Sequence, residues 1–139
     1  MIGYATLGVR DLQRSAVFYD AVLGQLDATR CRDQPNLIGW RFPRGGSELY
    51  VLSPYNGEAA HPGNGPMLAL LAASPDTVRA VYAKEIALGG TDEGKPGPRN
   101  YSPNFCAAYF RDFDGNKFNV FCLSPQPTEP LQPVANEAS

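Results

Sequence analysis

Cysteine is scarce in this sequence of 139 residues, which contains only Cys31, Cys106 and Cys122. An odd count without a CxxC pair argues against both a disulfide scaffold and a zinc ribbon. A hairpin that turns at Asp114 would place Cys106 opposite Cys122 on adjacent strands. We interpret these residues as reduced thiols packed like small hydrophobic side chains, with a redox pair as the alternative.

Long hydrophobic runs and an excess of positive charge are also missing. The longest apolar run, residues 67–73, is too short to span a bilayer, and the N-terminus lacks the features of a signal peptide. The net charge of −2 and the pI near 5.3 give no electrostatic attraction to nucleic acid or to an anionic membrane. These absences predict a cytoplasmic protein whose partners are small molecules or other proteins.

The composition is sufficient for one compact domain. The chain is 43% hydrophobic and 11% aromatic, which is enough for a core at this length. We predict a single domain at 1–123, with modules of about 1–53 and 67–123 joined by a loop at 54–66 that is rich in Gly, Pro and Asn. Residues 124–139 contain several prolines and few apolar side chains, which predicts an extended or disordered tail.

The two modules repeat one order of elements, a strand followed by a capped helix and further strands. Asp11 is a candidate N-cap in the first module, and Ser74 followed by Pro75 opens the helix of the second. Hydrophobic alternation predicts strands at 2–9, 26–31, 37–42, 48–52, 67–73, 105–110 and 117–123. The Gly- and Pro-rich stretch 92–103 is predicted to be a loop.

A late hairpin motif is the most specific pattern in the chain. Two aromatic-rich runs flank Asp114-Gly115-Asn116, which favours a tight turn. This motif, the opening segment 6–19, and the stretches 89–92 and 97–101 resemble the vicinal-oxygen-chelate superfamily, in particular its glyoxalase-like bacterial branch. That superfamily includes glyoxalases, bleomycin-resistance proteins and extradiol dioxygenases.

The resemblance implies an α+β fold. Two βαβββ modules would form curved mixed sheets around a pocket, with the helices outside. The superfamily's habit also implies a homodimer, because paired modules often complete each other's pocket.

Metal-dependent members of the family hold a divalent ion with histidines and carboxylates, and the matching positions here can be checked in turn. The histidines match Tyr4 and Met67, the last carboxylate matches Asn119, and Glu48 is the one acidic match. Phenol, thioether and amide groups are poor ligands for a hard or borderline ion at neutral pH. The chain's single histidine, His61, would leave the ion with too few ligands. We therefore predict no metal ion and no other cofactor.

The residues at these positions instead predict an apolar, aromatic pocket with one amide. Its predicted ligand-binding residues are Tyr4, Met67, Tyr109, Phe121 and Asn119, with Trp40 or Tyr50 as further candidates. We expect Tyr4, Met67 and Asn119 to converge. Arg99 lies in a segment that closes over the pocket in relatives, so it either meets an anionic group of the ligand or is a solvated loop residue, which we favour.

Three functions stay open from the sequence. We favour a metal-free protein that binds a small hydrophobic or aromatic molecule, like the bleomycin-resistance members. The second is a lyase, isomerase or dioxygenase that uses a metal or uses Glu48 as a base whose pKa is raised by burial. The third is a non-catalytic interaction protein whose pocket is filled by its own side chains.

Overall fold

The computed structural model describes residues 1–100 and 104–123. Within these ranges the chain forms two helices and eight strands: β1 (Tyr4–Gly8), α1 (Leu12–Gly24), β2 (Thr29–Gln34), β3 (Leu37–Arg41), β4 (Glu48–Leu52), β5 (Leu68–Leu71), α2 (Pro75–Ala87), β6 (Thr91–Pro98), β7 (Phe105–Arg111) and β8 (Lys117–Leu123). The elements build two four-stranded mixed sheets, and the predicted α+β fold is confirmed.

The first module contains α1 and a sheet of strand order β1-β4-β3-β2. Strand β1 runs parallel to β4, and the remaining neighbours are antiparallel. The predicted cap at Asp11 is present, because its carboxylate accepts a hydrogen bond from the Arg14 backbone N–H at 3.1 Å. The buried side of α1 covers one face of this sheet, whose inward side chains include Ile38 and Leu49.

The second module repeats this design with α2 and the strand order β5-β8-β7-β6. Strand β5 is parallel to β8, just as β1 is parallel to β4. The Ser74 hydroxyl accepts from the Thr77 N–H at 3.2 Å, and Pro75 occupies the start of the helix. Val78 and Val81 are fully buried on the side of α2 that faces the core.

The two modules share one core, in which Tyr19 of α1 occupies a central position. Its ring centroid lies 5.5 Å from that of Trp40 in the first sheet and 5.9 Å from that of Phe118 in the second. The turn between β7 and β8 also contacts the first module, because Arg10 pairs with Asp114 at 2.7 Å. Helix α1 is therefore packed against both sheets.

Two predicted strand positions differ from the structure. The strand predicted at 26–31 is β2 at Thr29–Gln34, because Leu26 and Ala28 donate their backbone N–H groups to the carbonyl of Leu23 and so still belong to the helix end. The strand predicted at 67–73 is shorter, at Leu68–Leu71.

The loop predicted at 92–103 is wrong over most of its length, since β6 occupies Thr91–Pro98. Its register against β7 shifts between Asp92 and Gly94 and again between Gly94 and Gly97. Prolines are tolerated because β6 is an edge strand of its sheet. A backbone N–H that is missing on its outer side removes no hydrogen bond to another strand. The glycines and prolines thus mark irregularities in a strand.

Tyr101 and the tail at 124–139 lie outside the described residues. In the described part of the chain, no helix combines the length and the apolar character needed to cross a membrane. Cys106 and Cys122 are register partners on β7 and β8, as the hairpin motif predicts. Burial, together with the neighbouring Cys106 thiol, raises the pKa of the Cys122 thiol.

Candidate functional site

Each sheet has one face that packs against helices and one that does not, which we call the helix-free face. Side chains alternate between the faces of a strand. In β8, Phe118, Val120 and Cys122 belong to the core, so Lys117, Asn119 and Phe121 lie on the helix-free face. The same alternation places Glu48 and Tyr50 of β4 on the helix-free face of the first sheet.

An aromatic stack forms on the helix-free face of the first sheet. Tyr4 stacks on Tyr50 with ring centroids 5.0 Å apart and an interplanar angle of 23°. The Tyr50 ring lies flat against the sheet over Gly39, where a Cβ atom would overlap its Cδ1 and lie 2.7 Å from its Cε1. Tyr50 is buried, whereas Tyr4 is 61% exposed, so Tyr4 presents a ring to solvent.

A polar chain holds this stack in place. Arg32 Nε donates to the Tyr50 hydroxyl at 3.1 Å, the hydroxyl donates to Glu48, and Arg41 Nε donates to the other Glu48 oxygen at 2.8 Å. The hydrogen bond from Tyr50, followed by that from Arg41, lowers the pKa of Glu48. The idea that burial raises the pKa of Glu48 is therefore wrong, because two donors stabilise its charged form.

The helix-free face of the second sheet has a different composition. Tyr109 and Asn119 are register partners, and both are almost fully buried. The ammonium of Lys117 lies 5.6 Å from the centroid of the Tyr109 ring. Farther along the same strands, Phe105 and Phe121 stack with centroids 5.4 Å apart. This face thus combines an aromatic end with a cationic end.

Arg99 is 4% exposed, so its interpretation as a solvated loop residue is wrong. Its guanidinium donates to the carbonyls of Lys95, Gly97 and Pro98 and lies 5.5 Å from the centroid of the Tyr109 ring. In the part of the chain that the structure describes, the buried Nε of Arg99 and Oδ1 of Asn119 have no hydrogen-bond partner, so two buried polar atoms on this face are unsatisfied there.

Two predicted pocket residues, Trp40 and Met67, lie in different environments, one in the core and one near the surface. Trp40 packs in the core under α1, where its indole N–H donates to Asp20 at 2.8 Å, so it does not line the helix-free face. The alternation of β3 decides this, since Gly39 rather than Trp40 lies beneath Tyr50. Met67 directly precedes β5 and is 39% exposed beside the strand that pairs with β8.

The predicted convergence of Tyr4, Met67 and Asn119 does not occur within one chain. Tyr4 is the register partner of Glu48 in the first sheet, whereas Asn119 pairs with Ala69 and Tyr109 in the second. No strand of the first sheet pairs with a strand of the second. The site residues therefore form two separate groups, one on each helix-free face.

The residues at the family's metal positions do not fit a divalent ion. Glu48 is the one carboxylate among them, and it is already bonded to Tyr50 and Arg41. Over residues 1–100 and 104–123, no three His, Cys, Asp or Glu side chains are grouped so that they could hold a metal ion. His61 is exposed and lines a surface hollow of about 240 Å³ with Gly8 and Leu52.

Sequence reasoning missed Arg32, Arg41, Gly39 and Gly94 as parts of these faces. Gly94 pairs with Tyr109, and a Cβ there would lie 3.1 Å from the Tyr109 ring and 3.3 Å from Nη2 of Arg99. Alternation along β3 and β4 could have indicated Gly39 and Arg41. The bulges of β2 and β6 shift the register, so alternation alone could not place Arg32 or Gly94.

Comparison with known proteins agrees with this architecture. A family model described as the Glyoxalase/Bleomycin resistance protein/Dioxygenase superfamily matches residues 1–120. A glyoxalase/bleomycin resistance protein from Albidiferax ferrireducens T118 is 36% identical, with a TM-score of 0.80 over 88% of this chain and 98% of that one. No protein of curated function matches the chain significantly.

More distant structures share the fold alone. The genomically encoded fosfomycin resistance protein FosX from Listeria monocytogenes is 18% identical, with a TM-score of 0.66 over 90% of this chain and 94% of that one. Lactoylglutathione lyase from Agrobacterium tumefaciens is 21% identical, with a TM-score of 0.64 over 88% and 92%. With the family model covering residues 1–120, this chain belongs to the glyoxalase/bleomycin resistance protein/dioxygenase superfamily.

Proposed function

We propose that this chain binds a small hydrophobic or aromatic molecule on its helix-free faces, without the metal ion of its enzymatic relatives. The observation that carries the proposal is the set of side chains at the family's metal positions. Tyr4, Met67 and Asn119 offer a phenol, a thioether and an amide, and Glu48 is already engaged by Tyr50 and Arg41. Such a set favours apolar contacts over coordination.

The stack of Tyr4 on Tyr50 supports an aromatic ligand. The inner ring is fixed by Gly39 beneath it and by two polar partners at its hydroxyl. The outer ring is 61% exposed and lies nearly parallel to the inner one. A solvent-facing ring that stacks on a fixed one is a stacking surface for a planar molecule, because offset ring pairs are favourable beyond the area that they bury.

A homodimer is part of the proposal. The two groups of site residues lie on separate sheets, and β1 and β5 are outer strands of those sheets. Large apolar side chains are exposed at or beside these strands, including Tyr4, Met67 and Leu71. A second copy that covered them would bury this surface and bring the first face of one chain to the second face of the other.

The two other functions have less support. A lyase, isomerase or dioxygenase that uses Glu48 as its base needs a carboxylate of raised pKa, whereas the pKa of Glu48 is lowered by Tyr50 and Arg41. An interaction protein with a filled pocket would bind no small ligand on either face. Ligand binding therefore distinguishes the proposed function from the third function, and metal content distinguishes it from a metal-dependent enzyme.

The test combines metal analysis with a neutral fluorescent probe. The chain is purified without chelator, equilibrated with nickel, zinc, manganese or ferrous ions, desalted and analysed for metal, and then titrated with N-phenyl-1-naphthylamine. We expect no stoichiometric metal and saturable probe fluorescence that weakens about tenfold in Tyr4→Ala. Tyr55→Ala, which removes an exposed ring from the loop, is the control. Tightly held metal or the absence of saturable binding would overturn the proposal.

A further inference from the structure

The guanidinium of Arg99 is a buried charge that has no carboxylate partner in the described residues. Three carbonyl oxygens hold it, from Lys95 at 2.7 Å, Gly97 at 2.9 Å and Pro98 at 3.2 Å. Its buried Nε–H has no acceptor in residues 1–100 and 104–123. Burying a charge is costly unless an opposite charge and hydrogen bonds compensate it, and here the compensation is incomplete.

Lys117 adds a second positive charge to the same face. Its ammonium and the Arg99 guanidinium lie 5.6 Å and 5.5 Å from the centroid of the Tyr109 ring. Neighbouring Arg111 is neutralised by Glu93 at 2.5 Å, whereas Lys117 has no ion-pair partner in residues 1–100 and 104–123. Within the described residues, two cations without a carboxylate partner therefore lie near one ring, in a chain whose net charge is −2.

The aromatic end of this face lies within reach of the two cations. Lys117, Asn119 and Phe121 follow one another on one face of β8, at intervals of about 7 Å. Phe121 stacks on Phe105, and the buried Oδ1 of Asn119 has no hydrogen-bond partner among the described residues. The face therefore runs from stacked rings at one end, past a buried amide oxygen, to positive charge at the other end.

We propose that the helix-free face of the second sheet is a subsite for an oxyanion carried on an aromatic ring, either a carboxylate or a phosphonate. Binding displaces the side chains that cover Nε of Arg99, so that the anion accepts hydrogen bonds from this atom and from the Lys117 ammonium, and the ring lies toward Phe121. This inference rests on the proposed function and names the ligand class of the same site.

A purely structural role for Arg99 explains less. The hydrogen bonds of Arg99 to three carbonyls stabilise the irregular strand β6. They leave its Nε–H without an acceptor in the described residues, and they give no reason for Lys117 to lie beside the same ring. The missing side chain at Gly94 is also needed here, because a Cβ would lie 3.3 Å from Nη2 of Arg99. An anionic ligand accounts for both cations together.

The test compares three probes of similar shape by isothermal titration calorimetry on the full chain. Benzoate carries a carboxylate, phenylphosphonate a phosphonate, and benzamide is the neutral counterpart of benzoate. We expect at least one anion to bind at least tenfold more tightly than benzamide, with an affinity that falls as salt is added. The ratio of the two anions identifies which oxyanion the subsite prefers.

Lys117→Gln is the main variant of the test. Arg99 is less suitable, because its guanidinium also donates hydrogen bonds to three backbone carbonyls and its replacement can disturb β6. The variant should bind the preferred anion about tenfold more weakly and benzamide unchanged. Lys84→Gln, which removes an equal charge from the exposed side of α2, should match the original chain. Arg99→Gln with an unchanged melting temperature should show at least the loss of Lys117→Gln.

Two outcomes would overturn the subsite, and they separate it from the proposed function. If benzamide binds as tightly as both anions, the anion subsite is wrong while aromatic binding stands. If no probe binds, or if Lys117→Gln and Lys84→Gln behave alike, the subsite is likewise wrong. The naphthylamine titration then decides the proposed function independently.

Discussion

Tyr19 on α1 donates its hydroxyl hydrogen to Oδ2 of Asp112 at 2.6 Å and so links the helix of the first module to the last hairpin of the second. The other Asp112 oxygen accepts from the backbone N–H groups of Asp114 and Asn116, both at 2.9 Å. Burial, and then the charge of Asp112, raise the pKa of the Tyr19 hydroxyl, which remains a donor at physiological pH. One carboxylate thus holds the turn and the junction of the modules.

Replacing Tyr19 by Phe should destabilise the fold. The buried Asp112 carboxylate loses one donor, and a lost hydrogen bond to a charged group costs roughly 1.5–3 kcal/mol. Urea unfolding should show a lower midpoint with an unchanged slope. Tyr55→Phe, at an exposed loop position, is the control, and equal midpoints for the two variants would contradict the assigned link.

Gly39→Ala should disrupt the first aromatic face. The added Cβ would overlap the Tyr50 ring, which must then leave the sheet and release its bonds to Glu48 and Arg32. We expect a loss of roughly 1–3 kcal/mol in the free energy of unfolding. Probe affinity should fall about tenfold.

The matched glycine control is Gly24→Ala, because a Cβ at Gly24 meets no atom within 4 Å. The free energy of unfolding of Gly24→Ala should equal that of the original chain or be slightly higher, because Ala favours a helix more than Gly does. The double variant Gly39→Ala with Tyr50→Leu should regain stability but not probe binding. Stability that stays low in the double variant would show that the ring is not the source of the strain.

Glu85 should make stability depend on pH. Its side chain is fully buried on α2 and has no hydrogen-bond partner in the described ranges 1–100 and 104–123. Burial, followed by the charge of Asp92, raises its pKa from 4.5 to about 8. The folded protein therefore keeps a proton that the unfolded chain releases above about pH 4.5. Stability is full below that pH and falls as the pH rises toward 8.

The matched variant is Glu85→Gln, which cannot lose a proton. Between pH 5 and 8.5 the original chain should lose stability relative to this variant, with an upper limit of roughly 4–5 kcal/mol at 1.4 kcal/mol per pKa unit. Glu58→Gln, in an exposed loop, is the control. Parallel pH profiles for the original chain and Glu85→Gln would show that Glu85 ionises without cost.

Restoring the family's ligand types should create a metal site. The triple variant Tyr4→His, Met67→His and Asn119→Glu should retain about one nickel or zinc ion per chain after desalting, because imidazole and carboxylate are good ligands for these ions. In one chain, however, Tyr4 and Asn119 lie on two separate sheets. Metal should therefore also stabilise a dimer, as measured by sedimentation.

The control for this variant is the pair Tyr4→His and Met67→His without the new carboxylate, which should retain far less metal. Metal held by a monomer, or equal retention by the two variants, would contradict the proposed arrangement across two chains. The same sedimentation experiment on the original chain tests the homodimer directly.

The sequence by itself determined the order and type of most elements. Alternation separates the side chains of β7 and β8 into a core set and a set on the helix-free face. Asp11 and Ser74 mark the starts of the two helices, because their side chains accept hydrogen bonds from N–H groups that the helix leaves unpaired. These properties are local, so they can be read from neighbouring residues. The hairpin motif likewise predicted the opposition of Cys106 and Cys122.

Only the tertiary structure decided how distant strands meet. The bulges of β6 interrupt its register, so a strand could not be recognised within this Gly- and Pro-rich segment. They also bring Arg99 into contact with Tyr109 rather than solvent. The lowered pKa of Glu48 also depends on Arg41 and Tyr50, whose positions follow from strand pairing. The irregular register of β6, the burial of Arg99 and the partners of Glu48 arise from contacts between distant residues, which local patterns in the chain do not encode.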